Sequence, residues 1–418
     1  MRRGIRATAD DNKAEQKKAA GAFCTQEALD NLSDDVGSLW AVYCDQTGGG
    51  IPILEQPPST EIFFRDYVHA SKPCIIRNCI PAPGSEKAGQ KDPLVMTLDD
   101  LVSICKSDGD DVMLTCDVTP DGHGDCVRNV VPNAARLEKS NSFGVYTGEP
   151  VRMFVKPEER RMSIEHFRDE LRAGREEWKR NNCNCNEDDW VQDDGLTTFD
   201  NKGGTAPTRG RPVLYYSRQN DCLRNELKNL FDTNLFPQGF EFAEDAFRSG
   251  PPDAVNLWVG DERAVSSMHK DHYENLFYCL SGEKVFTLCP PADVPFLHEG
   301  HFASGTFRFV NKSDNTADVY GHWVVEPDFC DDNGELQRIR WIEPDITRPD
   351  AGEQFPRLKQ AHPITVKVGA GEMLYLPALW YHRVTQTCET VGINWWFDMD
   401  FTNPTWSYFN FLQHLEVK

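Results

Sequence analysis

The chain has 418 residues, a formal net charge of −22, 39% hydrophobic and 11% aromatic residues. Length and apolar fraction suit one large domain or two ordinary ones with packed cores and exclude a disordered chain. The acidic balance argues against nonspecific nucleic-acid binding and suits a basic protein or peptide partner.

The 14 cysteines are scattered, and no run approaches the roughly 18 apolar residues of a membrane span. The start, MRRGIRATADDNKAEQKK, is basic and lacks an apolar h-region. We therefore expect reduced thiols in the cytosol, with the nucleus as a second compartment, and neither membrane nor nucleic acid as partner.

Residues 1–22 are polar, with no apolar face, which predicts a mobile tail. FCTQEALDNLSDDVGSLWA, from Phe23 to Ala41, predicts a helix or helix pair. PPSTEIFFRDYVHASKPCIIRNCI predicts a capped amphipathic helix, then a short apolar strand, Pro73–Ile80. TLDDLVSIC starts at Thr97 with Asp100 three residues on, a capping box with Asp in the acidic place. DDVMLTCDVTPDG predicts a strand that ends in a Pro-Asp-Gly turn.

Three polar stretches, Pro81–Pro93, 175–207 and 311–360, are rich in Gly, Pro, Asn or charge and are expected as surface insertions. Cys183 and Cys185 fall in the second; with no second pair at finger spacing, free thiols on a loop are expected. After Arg211 the texture changes to short β-branched and aromatic runs, such as AVNLWVG, NLFYCLSGEKVFTLCPP and AGEMLYLPALWYHRV. Gly, Pro or Asn separates them, a pattern of an all-β barrel or sandwich. The expected division is a tail (1–22), an α/β region packed on the core (23–210) and a mainly β catalytic domain (211–418). NPTWSYFNFLQHL predicts a closing helix with Asn403 as N-cap and Pro404 at N1. Its stripe of Trp406, Phe409, Leu412 and Leu415 packs on the barrel or on a second copy.

The chemistry concentrates in SSMHKDHYENLFYCLSGEKVF. In an extended strand His269 and Asp271 face the same side and can share one cation. A facial triad needs one more ligand. His382, after the strand Glu372–Leu376 and a Pro-Ala turn, is the candidate; a hydrogen-bonded core histidine is the alternative. His272 would face away and is excluded. Gly282 predicts a hairpin that places Lys284 on the returning strand. A buried cation there needs an anion, whereas an exposed lysine needs none. The turn DVTPDGHGD offers Asp121 and Asp125, read as a solvated turn.

These stretches, with FRDYVHASKPCIIRN, PDAVNLWVG and HKDHYENLFYCLSGEK, resemble the JmjC family of Fe(II)- and 2-oxoglutarate-dependent oxygenases, from Ile51 to the C-terminus apart from the insertions. The match is nearest to its short, JmjC-only lysyl hydroxylases. The resemblance implies a double-stranded β-helix core. It implies His269, Asp271 and His382 as iron ligands and Lys284 as the partner of the far carboxylate of 2-oxoglutarate. Ser266 stands where the family has Thr and keeps the hydroxyl toward the co-substrate. Tyr215, Asn275 and Asn394 match positions lining that pocket. The implied reaction uses O2 to hydroxylate a lysine at C3 in a protein partner, such as a translation-factor-like GTPase. Two other readings stay open: a metal-dependent peptidase acting on methylated histone tails, and a non-catalytic cupin-like binding module. No H-E-x-x-H or triad dedicated to hydrolysis is present.

Overall fold

The computed structural model describes residues 23–46, 50–85, 92–106, 111–132, 149–182, 211–310, 322–330 and 334–417. The expected tail and the loop with Cys183 and Cys185 lie outside the described residues.

Eight strands form the core: β1 (Ala254–Gly260), β2 (Val265–His269), β3 (Tyr273–Ser281), β4 (Glu283–Cys289), β5 (Ile364–Gly369), β6 (Glu372–Leu376), β7 (Tyr381–Gln386) and β8 (Thr390–Asp398). They are the β-branched and aromatic runs expected from the sequence. One sheet has the order β1-β8-β3-β6 and the other β5-β4-β7-β2, with every neighbouring pair antiparallel. Within β1–β4, and again within β5–β8, the chain steps between the two sheets. This is the topology of a double-stranded β-helix.

The step from β3 to β4 is Gly282 alone, at φ 78°. A Cβ there would lie 2.5 Å from the Glu389 carbonyl oxygen and closer still to the Thr390 hydroxyl. Only glycine fits this corner. It differs from the expected hairpin: β3 and β4 do not pair with each other, and Gly282 carries the chain from one sheet to the other. A hairpin and a sheet-switching corner share the Gly signal, and local sequence does not separate them.

Phe277 and Phe286 meet edge to face at 5.3 Å between the sheets, among Ile75, Val366, Leu374 and Val384. The outer face of the first sheet packs on the N-terminal region, where Phe63 contacts Tyr375 and Phe247. That region also extends both sheets. Cys74–Arg77 and Ile53–Leu54 continue beyond β6, and His123–Gly124 pairs with β2. Local signals upstream hold. Gln26–Gln46 is helical, and Thr97 and Asp100 cap Leu98–Lys106 reciprocally: the Thr97 N–H donates to Asp100 at 2.8 Å and the Asp100 N–H to Thr97 at 3.2 Å.

The stretch 311–360 is not merely a surface insertion. His322–Pro327 and Arg338–Ile342 both pair with Glu299–Val310, and Trp323 and Ile342 are buried. Hydrophobic residues set among charges hide the strand pattern there. At the closing helix, Pro404–Gln413, the Asn403 side chain accepts from the Thr405 N–H at 2.9 Å. Phe409 and Leu412 are buried against the barrel, in a cluster with Leu297 and Tyr381. Among the described residues no helix is long and apolar enough to cross a membrane.

Candidate active site

β2 and β7 run antiparallel, and their register sets His269 opposite His382. Their rings are 4.2 Å apart. β2 ends at His269, so Asp271 sits in the following loop. That loop is held by Leu379, whose N–H donates to the Asp271 carbonyl at 2.9 Å from a left-handed backbone at φ 68°. The Asp271 carboxylate lies 3.5 Å from Nε2 of His382. One ligand atom from each of the three residues lies within 4.8 Å of the others.

Both imidazoles are aimed by backbone. Nδ1 of His269 donates to the Ser267 carbonyl at 2.7 Å, and Nδ1 of His382 to the Trp380 carbonyl at 3.0 Å. A carbonyl only accepts, so each Nδ1 carries hydrogen, which leaves each Nε2 as the nitrogen available to a metal. Burial, reinforced by His269, pushes His382 down to about 4, which keeps it neutral as a ligand must be. His272 lies outside the cluster, though not for the reason expected from an extended strand. Its ring packs 5.3 Å from Trp406, because the chain leaves the strand after His269.

Lys284 is 2% exposed. Its ammonium donates to the Tyr215 hydroxyl at 2.7 Å and lies 5.2 Å from the rings of Tyr215, Trp258 and Phe277. Among the described residues no carboxylate pairs with it. Burial pushes its amine down to about 7. A cation held this way is a receptor for an external anion. Asn275 and Asn394 complete the wall. The Trp258 indole N–H donates to Asn394 at 3.0 Å, and the Asn394 amide donates to Asn275 at 3.2 Å. Ser266 sits beside the Tyr215 hydroxyl. All eight residues singled out from the sequence line one cavity of about 240 Å³.

Other wall residues were missed. Trp258 and Phe277 read as ordinary strand aromatics. Trp341 lies in the supposed insertion, where nothing in the sequence marks it. It stacks on His269 at 5.5 Å with planes 3° apart, and its indole N–H donates to the Ser267 hydroxyl at 2.8 Å. Ser267 in turn donates to the Asp125 carbonyl at 2.6 Å. The turn Asp121–Asp125 is not simply solvated: Asp121 pairs with the buried Arg128, and Asp125 lines the cavity.

The model of the family described as a cupin-like domain matches residues 59–403. The chain is 30% identical to the human bifunctional peptidase and (3S)-lysyl hydroxylase JMJD7, over 87% of this chain and 89% of that protein. The chain belongs to the cupin-like JmjC family. Other JmjC-type relatives match over comparable lengths. JmjC domain-containing protein E of Dictyostelium discoideum is 29% identical over 92% of this chain and 95% of its own. The lysine-specific demethylase JMJ32 of Arabidopsis thaliana is 29% identical over 93% of both.

JmjC proteins generally use Fe(II) and 2-oxoglutarate, and the residues here fit both. Two imidazoles and one carboxylate are the donor set of a facial triad that leaves positions open. Lys284, with no carboxylate partner among the described residues, fits a dicarboxylate in the same cavity.

Proposed function

We propose that this JmjC protein is a 2-oxoglutarate-dependent protein hydroxylase that acts at C3 of a lysine in a partner protein of the translation-factor-like GTPase class. The observation that carries the reading is the convergence of His269, Asp271, His382 and Lys284 on a single cavity. The hydroxylase activity for which the human relative is named supports it at 30% identity.

When bound, iron with 2-oxoglutarate and O2 supplies C–H oxidation chemistry that also yields succinate and CO2. The chain supplies positions and surroundings. His269, Asp271 and His382 would hold the metal on one side and leave the other open. Lys284 and Tyr215 would hold the far carboxylate, with Ser266 beside them. Trp258, Phe277 and Phe286 exclude water from that end, which strengthens the charge pairing. The side chains hold geometry rather than move protons.

Purified protein with Fe(II), ascorbate, 2-oxoglutarate and a lysine-bearing GTPase of this class should form succinate. The partner should gain the mass of one oxygen atom at a lysine. His269→Ala should abolish both products by removing a ligand. Peptide cleavage without 2-oxoglutarate consumption would replace this reading with the peptidase one. The demethylase activity for which the Arabidopsis relative is named predicts instead loss of a methyl group from a methylated lysine.

A homodimer through the closing helix belongs to the same reading. Its buried face packs on the barrel, while Phe401, Tyr408 and Phe411 are 51%, 48% and 54% exposed. An apolar patch of this kind suits a second copy of the chain.

A further inference from the structure

The wall of the cavity contributed by the N-terminal region carries Asp117 and Asp125. Asp125 sits on a left-handed backbone at φ 39°, and its carbonyl accepts from Ser267, two residues before the ligand His269. Its backbone is thereby fixed against β2. Its carboxylate accepts no hydrogen bond among the described residues. The ammonium that acts on it is that of Lys156, which is itself engaged with Asp328 at 3.2 Å. Burial pushes the Asp125 carboxyl upward. The neighbouring Asp117 accepts from the Ser217 hydroxyl. Burial first, then repulsion from Asp125 and Glu159, pushes its carboxyl to about 7. Asp121, four residues before Asp125, shows the contrast. It is bound by the guanidinium of Arg128, and its carboxyl is lowered. The same turn thus has one carboxylate bound by a guanidinium and one that, among the described residues, no cation binds directly.

Two carboxylates in one partly buried wall disfavour each other's charge. A cation entering the cavity would relieve this. A substrate side chain whose C–H bond faces the metal site continues past it, so a terminal ammonium comes within reach of the wall beside His269. We infer that Asp125, backed by Asp117, is the subsite that receives the cationic end of the substrate side chain. The inference rests on the hydroxylase reading only for naming that cation as a lysine ammonium. Asp125 then sets specificity. A neutral isostere leaves the carboxylate without a partner. A trimethylated ammonium keeps the charge but offers no N–H to donate.

The test uses the full chain with 2-oxoglutarate and Zn(II) as an unreactive metal. N-acetyl-lysine methylamide and N-acetyl-norleucine methylamide are titrated by ligand-observed NMR. The wild-type chain is expected to favour the lysine compound by about tenfold or more. Asp125→Asn should erase the preference through the lysine compound alone, with the norleucine affinity unmoved; a damaged fold would weaken both. Asp117→Asn should reduce the preference in part. If Asp125→Asn melts early, the wild-type comparison still decides. A wild-type chain that does not discriminate, including one that binds neither compound, overturns the inference, as does an Asp125→Asn variant that keeps the preference. The hydroxylase reading fails separately, when lysine is favoured yet the Fe(II)-loaded enzyme oxidises no lysine in any partner tried.

Discussion

Among the described residues Lys284 has no hydrogen-bond acceptor of opposite charge, and this has a consequence in pH. Burial brings its amine from the usual 10.5 to about 7. Between those values the unfolded chain holds a proton at this residue that the folded chain does not. Stability without co-substrate therefore rises with pH across that window. Binding a dicarboxylate restores the charged form, so near pH 8 binding should take up a proton. Calorimetry in buffers of different ionisation enthalpy would show this as a slope in the observed heat; a slope of zero sinks the assignment. Lys284→Ala should remove the slope and weaken 2-oxoglutarate binding by about ten- to a hundredfold. The sequence named Lys284, His269, Asp271 and His382 because those residue types and spacings carry chemistry. The Ser267 and Trp380 carbonyls that aim the two histidines had no signal, because every residue has a carbonyl and only the fold selects which one is used.

At the scale of elements, the strand Arg338–Ile342 is the clearest departure from the sequence reading. It brings Trp341 onto His269 from a stretch whose composition resembles a loop. Trp341→Ala removes the stacked plane and the hydrogen bond to Ser267, whose own carbonyl orients His269. Metal affinity should fall by about tenfold, as when other outer partners of a ligand are lost. A competitive metal titration checks it, and unchanged affinity would make Trp341 a wall residue only. Gly282 belongs to the same scale. Its glycine was legible, but the sheet it leads to was not, because sheet membership depends on partners far along the chain. Gly282→Ala must place a side chain at φ 78° against Glu389 and Thr390. It should cost roughly 1–3 kcal/mol from the backbone alone, read as a lower denaturant midpoint. Because Lys284 is two residues on, 2-oxoglutarate affinity should fall with it.

At the scale of the molecule, the sequence reading of a β barrel after Arg211 matches the eight core strands, since regular alternation in short runs is a local signal. What it did not contain is how strands from residues 53–124 complete both sheets. Those strands are two to four residues long, too short to show a period. The closing helix shows the same limit. Its stripe of Trp406, Phe409 and Leu412 was visible, and Phe409 and Leu412 are spent on the barrel. The side that remains outward carries Tyr408 and Phe411, with Phe401 just before the helix. Burying this apolar surface between two copies would be favourable by the hydrophobic effect, and the interface would be symmetric. A net charge of −22 on each copy opposes association at long range, so dimerisation should strengthen as salt screens it. Light scattering at rising salt is expected to give twice the chain mass for the wild-type protein. Phe411→Asp places a charge in the centre of the patch and should give a monomer that keeps its melting temperature, because Phe411 is 54% exposed and lies outside the buried cluster that holds the helix on the barrel. A wild-type monomer at every salt concentration, or a Phe411→Asp dimer, would show that this face has another use.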